Sequence, residues 1–268
     1  MEMDYTGERM VPEKADAYTF WEHIYRYRFA EAFVKGKRVL DIACGEGYGA
    51  AALLRAGAAS VVGVDVSAET CEHAIRRYGV KALLGEAQNI PLGSGSVDTV
   101  VSFETIEHVA APEKFLDECV RVLAPGGQII ISTPNRDAYL KDAAPNPYHL
   151  KELNEKEFKS LLVARFSRVK TYTQRPVSAA WWSPRVLGSE RTALKQVRGF
   201  CRLQWLLQMG CCREIVDPSK LERARADPVQ AITTRQGGFS WLANPFAIRP
   251  TSRWSDETPT YVIAVASL

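Results

Sequence analysis

The strongest constraint in this chain is a strand that runs straight into a glycine loop, Val39-Leu-Asp-Ile-Ala-Cys-Gly-Glu-Gly-Tyr-Gly49. Gly45, Gly47 and Gly49 let the backbone turn tightly and approach a ligand closely. The helix that follows offers free N–H groups to the ligand's polar end. Asp41 sits on the strand just before the glycines, and Asp65 ends the next apolar run, Val61–Val66. In doubly wound nucleotide sites that second carboxylate meets ribose hydroxyls. A nicotinamide-binding loop would want its third glycine at position 50, which is Ala50.

The surrounding pattern repeats. Arg38–Ile42, Val61–Val66, Lys81–Leu84, Val97–Phe103 and Gln128–Thr133 read as five strands, rich in Val and Ile and not alternating with polar residues. Such runs fit strands buried on both faces of a parallel sheet. Between them lie helical stretches at Tyr48–Arg55, at Ala68–Tyr78 behind the N-cap Ser67, and at Pro112–Leu123 with proline in its first turn. The expectation is an α/β, doubly wound, Rossmann-like sheet. A helix over Asn154–Ala164, a sixth strand at Arg168–Gln174 and a seventh at Thr260–Ala266 complete it. The main domain is then 1–174 plus 259–268, with 175–258 inserted before the last strand as a mostly helical cap over the active site. Within the insertion, helices are expected at Glu190–Met209 and from Pro218.

The net charge of the 268 residues is only +3, a weak electrostatic footprint for nucleic acid. The charge is uneven, however. The insertion carries 13 basic side chains, 11 of them Arg, against 7 acidic, together with Trp181, Trp182, Trp205, Trp241 and Trp254. The six cysteines form no CxxC pair, the N-terminal stretch has no apolar signal region, and no apolar run is long enough to span a membrane. A reduced, cytoplasmic protein is the expectation.

The motifs together resemble the class I S-adenosylmethionine-dependent methyltransferases. VLDIACGEGYG is similar to that family's first motif and VVGVDVS to its second. GEAQNIPL resembles the adenine-contacting turn, and VDTVVSFETIEHV and LAPGGQIIISTPN the fourth- and fifth-strand motifs. The branch it most resembles is the ubiquinone-pathway O-methyltransferases. The resemblance implies S-adenosyl-L-methionine as cofactor and an antiparallel last strand. Asp41, Ala43, Gly45 and Gly47 would surround the methionine part, Asp65 and Val66 the ribose, and Glu86, Ala87 and Phe103 the adenine side.

Glu104, Glu107 and His108 follow the fourth strand, and would share one face if a helical turn begins there. His149 arrives after the fifth strand, at the same C-terminal sheet edge where such folds bind ligands. The set resembles the metal site of ubiquinone-pathway O-methyltransferases and of small-RNA 3′-terminal methyltransferases, which implies a divalent cation, Mg²⁺ or Mn²⁺. Two further readings stay open: metal-free catalysis by His108 or His149 assisted by Glu107, and a structural role in which His149 caps the next helix. A lead-in helix from Tyr18 to Val34 puts His23, Arg26 and Tyr27 on adjacent faces, able to cover the cofactor, or else packs through Phe20, Ile24 and Phe29.

These observations lead to an O-methyltransferase acting on a hydroxyl of a sugar, glycoconjugate or related small molecule. A phenol or quinone precursor is the alternative, followed by an RNA end and by a non-catalytic cofactor-binding protein. Arg and Trp in the insertion suit a glycan or phosphate-linked acceptor, form the insertion's own core, or, at Leu203–Met209, touch a membrane surface peripherally.

Overall fold

The computed structural model describes residues 9–139, 146–174, 218–233, 248–250 and 261–268. In chain order the elements are α1 (Ala17–Ala30), β1 (Arg38–Ile42), α2 (Tyr48–Arg55), β2 (Ser60–Asp65), α3 (Ala68–Tyr78), β3 (Lys81–Leu84), β4 (Val97–Ser102), α4 (Pro112–Val122), β5 (Leu123–Pro134), α5 (Arg136–Tyr139), α6 (Glu155–Val163), β6 (Arg168–Gln174), α7 (Pro218–Ala226), α8 (Pro228–Thr233), β7 (Ile248–Pro250) and β8 (Tyr261–Ser267).

The strands form one sheet in the order β3-β2-β1-β4-β5-β8-β6-β7. Strands β1 to β5 pair in parallel, and β8 runs antiparallel between β5 and β6. The order reverses between β1 and β4, and that switch point opens the crevice for a ligand at the C-terminal strand ends.

Both faces of the sheet are covered, which explains the unbroken apolar runs. Ile129 and Ile131 belong to the core beneath α4 and α6, while Ile130 between them belongs to the core beneath α1 and α2. Helix starts follow local chemistry. The Ser67 hydroxyl accepts from the Thr70 N–H, and Asn154 and Glu157 form a reciprocal capping box at α6.

The sequence differs from the structure in three places. The sheet has eight strands rather than seven, because Ile248–Pro250 of the insertion pairs antiparallel with β6 at the sheet edge. Three residues are too few to carry a periodicity of their own. The fifth strand begins at Leu123, so Pro125-Gly126-Gly127 lies within it as an irregularity between the pairs Val97–Leu123 and Thr99–Gln128. The lead-in helix is α1 followed by a separate 3₁₀ turn, Glu31–Phe33.

The helix expected from Pro218 is present as α7, whereas Glu190–Met209 and the five insertion tryptophans lie outside the described residues. The described part of the insertion packs on α1 and α2. Arg28 donates to the carbonyls of Ala231 and Ile232, Arg55 to Gln230, and Arg225 to the carbonyl of Ala15. None of these insertion residues lines the cavity described next. Cys44, Cys71 and Cys119 are buried free thiols. Among the described residues, no helix is long and apolar enough to cross a membrane.

Candidate active site

A cavity of about 690 Å³ opens at the C-terminal ends of β1, β2 and β4, within the range usual for small-molecule sites. Ala43 and Gly45 line it from the loop after β1, Asp65 and Val66 from the end of β2, Glu86 and Ala87 from the turn after β3, and Phe103 from the end of β4. Both Asp65 oxygens brace the loops: one accepts from the Gly45 N–H at 2.9 Å, the other from the Ser67 N–H at 3.0 Å. Each retains lone-pair capacity for a ribose hydroxyl.

Two residues expected around the methionine part do not line the cavity. Gly47 caps α2 with φ +87°, and a Cβ there would lie 2.5 Å from Ala74 Cβ, so its task is close packing of α2 on α3. Asp41 is buried behind the wall, and the Tyr27 hydroxyl reaches both its oxygens at 3.2 Å. Tyr27 comes from α1 and lines the cavity itself. Gly49 makes room for it, since a Cβ at that position would fall 2.0 Å from the tyrosine ring.

Burial, reinforced by the nearby Asp65 charge, pushes the Asp41 carboxyl up to about 8, although the Tyr27 hydrogen bond opposes the shift. Between the ordinary carboxylate range and about 8, the folded protein holds this proton and the unfolded chain does not. Stability therefore falls as pH rises through that window. Asp41→Asn removes the titration, so thermal unfolding at pH 5, 6.5 and 8 is expected to show a shallower decline in the variant. Equal slopes would exclude Asp41 as the source.

The second half of the cavity holds the candidate chemistry. A 3₁₀ turn, Ile106–His108, follows β4, and the segment 146–151 folds over it. The Glu107 carbonyl accepts from the N–H groups of Leu150 and Lys151, and His108 Nδ1 lies 3.0 Å from the Tyr148 carbonyl. These bonds bring the His149 ring to 5.0 Å from the His108 ring, edge to face. His149 Nδ1 lies 3.0 Å from Glu152 Oε1, so His149 does not cap α6, a place that Asn154 takes. Both Nδ1 atoms face pure acceptors and must donate, which leaves Nε2 as the basic atom of each neutral ring.

Ligand-type atoms of Glu107, His108 and His149 lie within 4.8 Å of one another. Glu107 is fully buried, and Thr133 donates to its Oε2 at 3.2 Å while Oε1 has no hydrogen-bond partner. Burial and the neighbouring Glu104 hold this carboxyl well above the usual range.

Glu104 lines the cavity but stands outside the cluster. It does not share a helical face with residues 107 and 108, because it leaves β4 with φ +52° before the turn begins. Its carboxylate instead accepts from the Ser132 hydroxyl at 2.6 Å and lies 3.9 Å from the buried Arg26 guanidinium. Arg26 also donates to Gln174 at 3.0 Å and stacks 4.4 Å from the Tyr261 ring centroid. Sequence reasoning missed Glu152 behind His149 and Tyr27 over Asp41. The i+3 spacing to Glu152 was the available signal for the first, whereas the second crosses elements and had none.

The doubly wound sheet, its glycine loop and the carboxylate ending β2 form the kind of crevice in which such folds bind nucleotides, and the polar cluster shares its cavity. Comparison with known proteins narrows the class. Residues 40–131 match the methyltransferase domain family. A probable S-adenosylmethionine-dependent methyltransferase of Mycolicibacterium smegmatis is 41% identical over 161 residues, 59% of this chain and 62% of that protein. A ubiquinone biosynthesis O-methyltransferase of Psychrobacter arcticus is 36% identical over 117 residues, 40% of this chain and 45% of that protein. The crystal structure of a possible histamine N-methyltransferase from Thermotoga maritima shares the fold, with TM-score 0.56 and 18% identity over 97% of both chains. Residues 40–131 thus resemble a methyltransferase domain, carried on a sheet that shares the fold of the solved Thermotoga maritima protein. The chain spans about three-fifths of the length of the first of these relatives.

The residues of the cavity are compatible with S-adenosylmethionine, the molecule in the name of the Mycolicibacterium smegmatis relative. Gly45 lines the cavity with its N–H held by Asp65, and Asp65 keeps acceptor capacity for a ribose hydroxyl.

Proposed function

We propose that this chain is an O-methyltransferase acting on a hydroxyl of a sugar, glycoconjugate or related small molecule. The observation that carries the reading is the Glu107–His108–His149 cluster, which shares one cavity with the glycine loop and Asp65. S-adenosylmethionine, when bound, supplies an electrophilic methyl group to a hydroxyl oxygen that gives up its proton. His149 suits the removal of that proton. Its Nδ1–H is directed at Glu152, so Nε2 is the basic atom, and the carboxylate stabilises the imidazolium that forms. His108 has the same tautomer, with its Nδ1–H directed at a backbone carbonyl instead of a carboxylate. Holding the acceptor between these rings and the cofactor wall supplies the alignment on which such transfers depend.

A divalent cation at the cluster is a second reading, favoured by the buried, unpartnered Glu107 Oε1. Glu107, His108 and His149 would hold it, and mixed N/O ligands suit Mn²⁺ better than Mg²⁺. Such an ion lowers the pKa of a bound hydroxyl. The name of the Psychrobacter arcticus relative supports a phenolic acceptor as the alternative to a sugar.

Calorimetric titration with S-adenosylhomocysteine tests the cofactor reading, and absence of heat overturns it. Product mass after incubation with methyl glycosides, catechol and an RNA oligonucleotide then separates the acceptor classes. The sugar reading expects a mass gain of one methyl on a glycoside. Turnover insensitive to a chelator removes the cation, whereas loss restored by Mn²⁺ supports it.

A further inference from the structure

Glu46 belongs to the glycine loop, between Gly45 and Gly47, yet it does not line the cavity. It is 1% exposed, and neither carboxylate oxygen has a hydrogen-bond partner among the described residues. Its side chain is turned toward α3, where His73 Nε2 lies 3.5 Å from Oε2 and is likewise without a hydrogen bond. Leaving such groups buried and unbonded is costly. A proton between carboxylate and imidazole makes a charge-assisted hydrogen bond, which closes to about 2.7–2.9 Å. The pair therefore stands in the open position of a contact that one proton closes.

The charged groups around the pair come from four segments. Helix α3 itself supplies Arg77, 4.0 Å from Glu46 Oε2, then Arg76, paired with Glu72, and the Tyr78 ring, 6.3 Å from the His73 ring. The stretch before α1 supplies Arg9, Lys14 and Glu13, and Glu13 bonds Arg77. Tyr48 faces Glu46 from α2, and Asp227 faces Tyr78 from between α7 and α8. Burial and Glu13 hold the Glu46 carboxyl above its ordinary range, whereas burial, Arg77 and Arg76 hold the His73 ring below its own. The two ranges are drawn together, so the pair takes up and releases a proton as a unit.

The pull is aimed at the loop that lines the cavity. Gly47 packs so closely on α3 that a Cβ there would lie 2.5 Å from Ala74 Cβ, and Ala74 follows His73. Gly45, on the other side of Glu46, lines the cavity and gives its N–H to Asp65. Closing the pair holds the loop against α3, and a loop held beforehand loses less freedom on binding.

We infer that Glu46 and His73 are positioning residues: they form a proton-dependent clasp that holds the glycine loop for the cofactor, so that cofactor affinity rises as pH falls. The inference rests on the cofactor reading above. The clasped state holds one more proton than the open one, so acid favours it and cofactor binding draws a proton from solution.

Calorimetric titration with S-adenosylhomocysteine at pH 5 and pH 8 tests this in wild type, His73→Gln and Glu46→Gln, with two buffers of different ionisation enthalpy to count protons. The ratio of affinity at pH 5 to that at pH 8 is expected to be about tenfold larger in wild type than in either variant, the size of one charge-assisted hydrogen bond. Other titrating groups of the cavity contribute equally to all three proteins. Wild type also takes up more protons on binding than the variants do. Glu46→Gln keeps the shape of the side chain, so one comparison remains if His73→Gln fails to fold. Hydrogen exchange of the Gly45–Gly49 amides in the ligand-free proteins is the second readout. Corrected for intrinsic rates, the loop is expected to be better protected at pH 5 than at pH 8 in wild type alone. Substitutions that weaken binding equally at both pH values overturn the clasp, because that is the pattern of a merely structural pair. Wild type that binds no S-adenosylhomocysteine at either pH overturns the cofactor reading, and the exchange result then decides the clasp by itself.

Discussion

Asp65→Ala lowers the affinity for S-adenosylhomocysteine by about 100-fold. The carboxylate lines the cavity and accepts the Gly45 and Ser67 N–H groups at 2.9 and 3.0 Å, so its removal strips the ribose of its acceptor and the glycine loop of its brace at once. Hydrogen bonds to a charged group contribute roughly 1.5–3 kcal/mol each, and every 1.4 kcal/mol is about a factor of ten in affinity. Asp65→Asn separates the two tasks. Its single carbonyl oxygen can still accept one N–H but lacks the charge, so an intermediate loss of about tenfold is expected. Calorimetric titration of the three proteins decides the matter. An Asp65→Ala affinity within threefold of wild type would reduce Asp65 to a structural brace.

What the sequence made legible is what periodicity and local chemistry encode. The strands β1, β4 and β8 announced themselves because each is buried on both faces, and Ser67 and Asn154 announced helix starts because capping is decided within four residues. The cavity half built from Ala43, Gly45, Asp65 and Phe103 was legible for the same reason: short segments at strand ends compose it. Contacts between distant segments were not. Glu104 was expected beside Glu107 as a ligand, but Ser132 and Arg26, from two other elements, hold its carboxylate. Asp41 was expected to face the ligand, but Tyr27 from α1 covers it.

The same long-range contacts change the reading of the lead-in helix. Its packing residues Phe20 and Ile24 are fully buried, and its polar face is pinned through Arg26, Tyr27 and Arg28 to the sheet, β1 and the insertion. The two expectations for this segment are therefore compatible: it packs as an amphipathic helix and still lends His23 and Tyr27 to the cavity. Part of the insertion's excess positive charge also has a local use, since Arg225 bonds the Ala15 carbonyl and Glu222.

Tyr27 and Gly49 make the tightest of these contacts, and their coupling is the largest stability effect expected here. A methyl group on residue 49 would lie 2.0 and 2.2 Å from two Tyr27 ring atoms and 2.5 Å from its hydroxyl oxygen. The ring has little room to withdraw, because Tyr48 and Phe103 pack edge-on against it at 5.6 and 5.1 Å. Gly49 lies in the first turn of α2, where alanine would by propensity alone gain about 1 kcal/mol. Overpacking costs about 1–3 kcal/mol, and expelling a large aromatic side chain from a core about 3–5, so the steric penalty wins. Gly49→Ala is expected to destabilise by about 3 kcal/mol, a fall of roughly 10 °C in Tm for a domain of this size. Tyr27→Ala alone opens a cavity and costs a similar amount. In the double variant the new methyl enters space that the ring has vacated, so the combined loss stays close to that of Tyr27→Ala, with a coupling of about 2 kcal/mol or more. Denaturant unfolding of the four proteins measures this directly. Losses that add to within about 0.5 kcal/mol would mean that the two residues do not share the space, and that the glycine at 49 answers to something other than the lead-in helix.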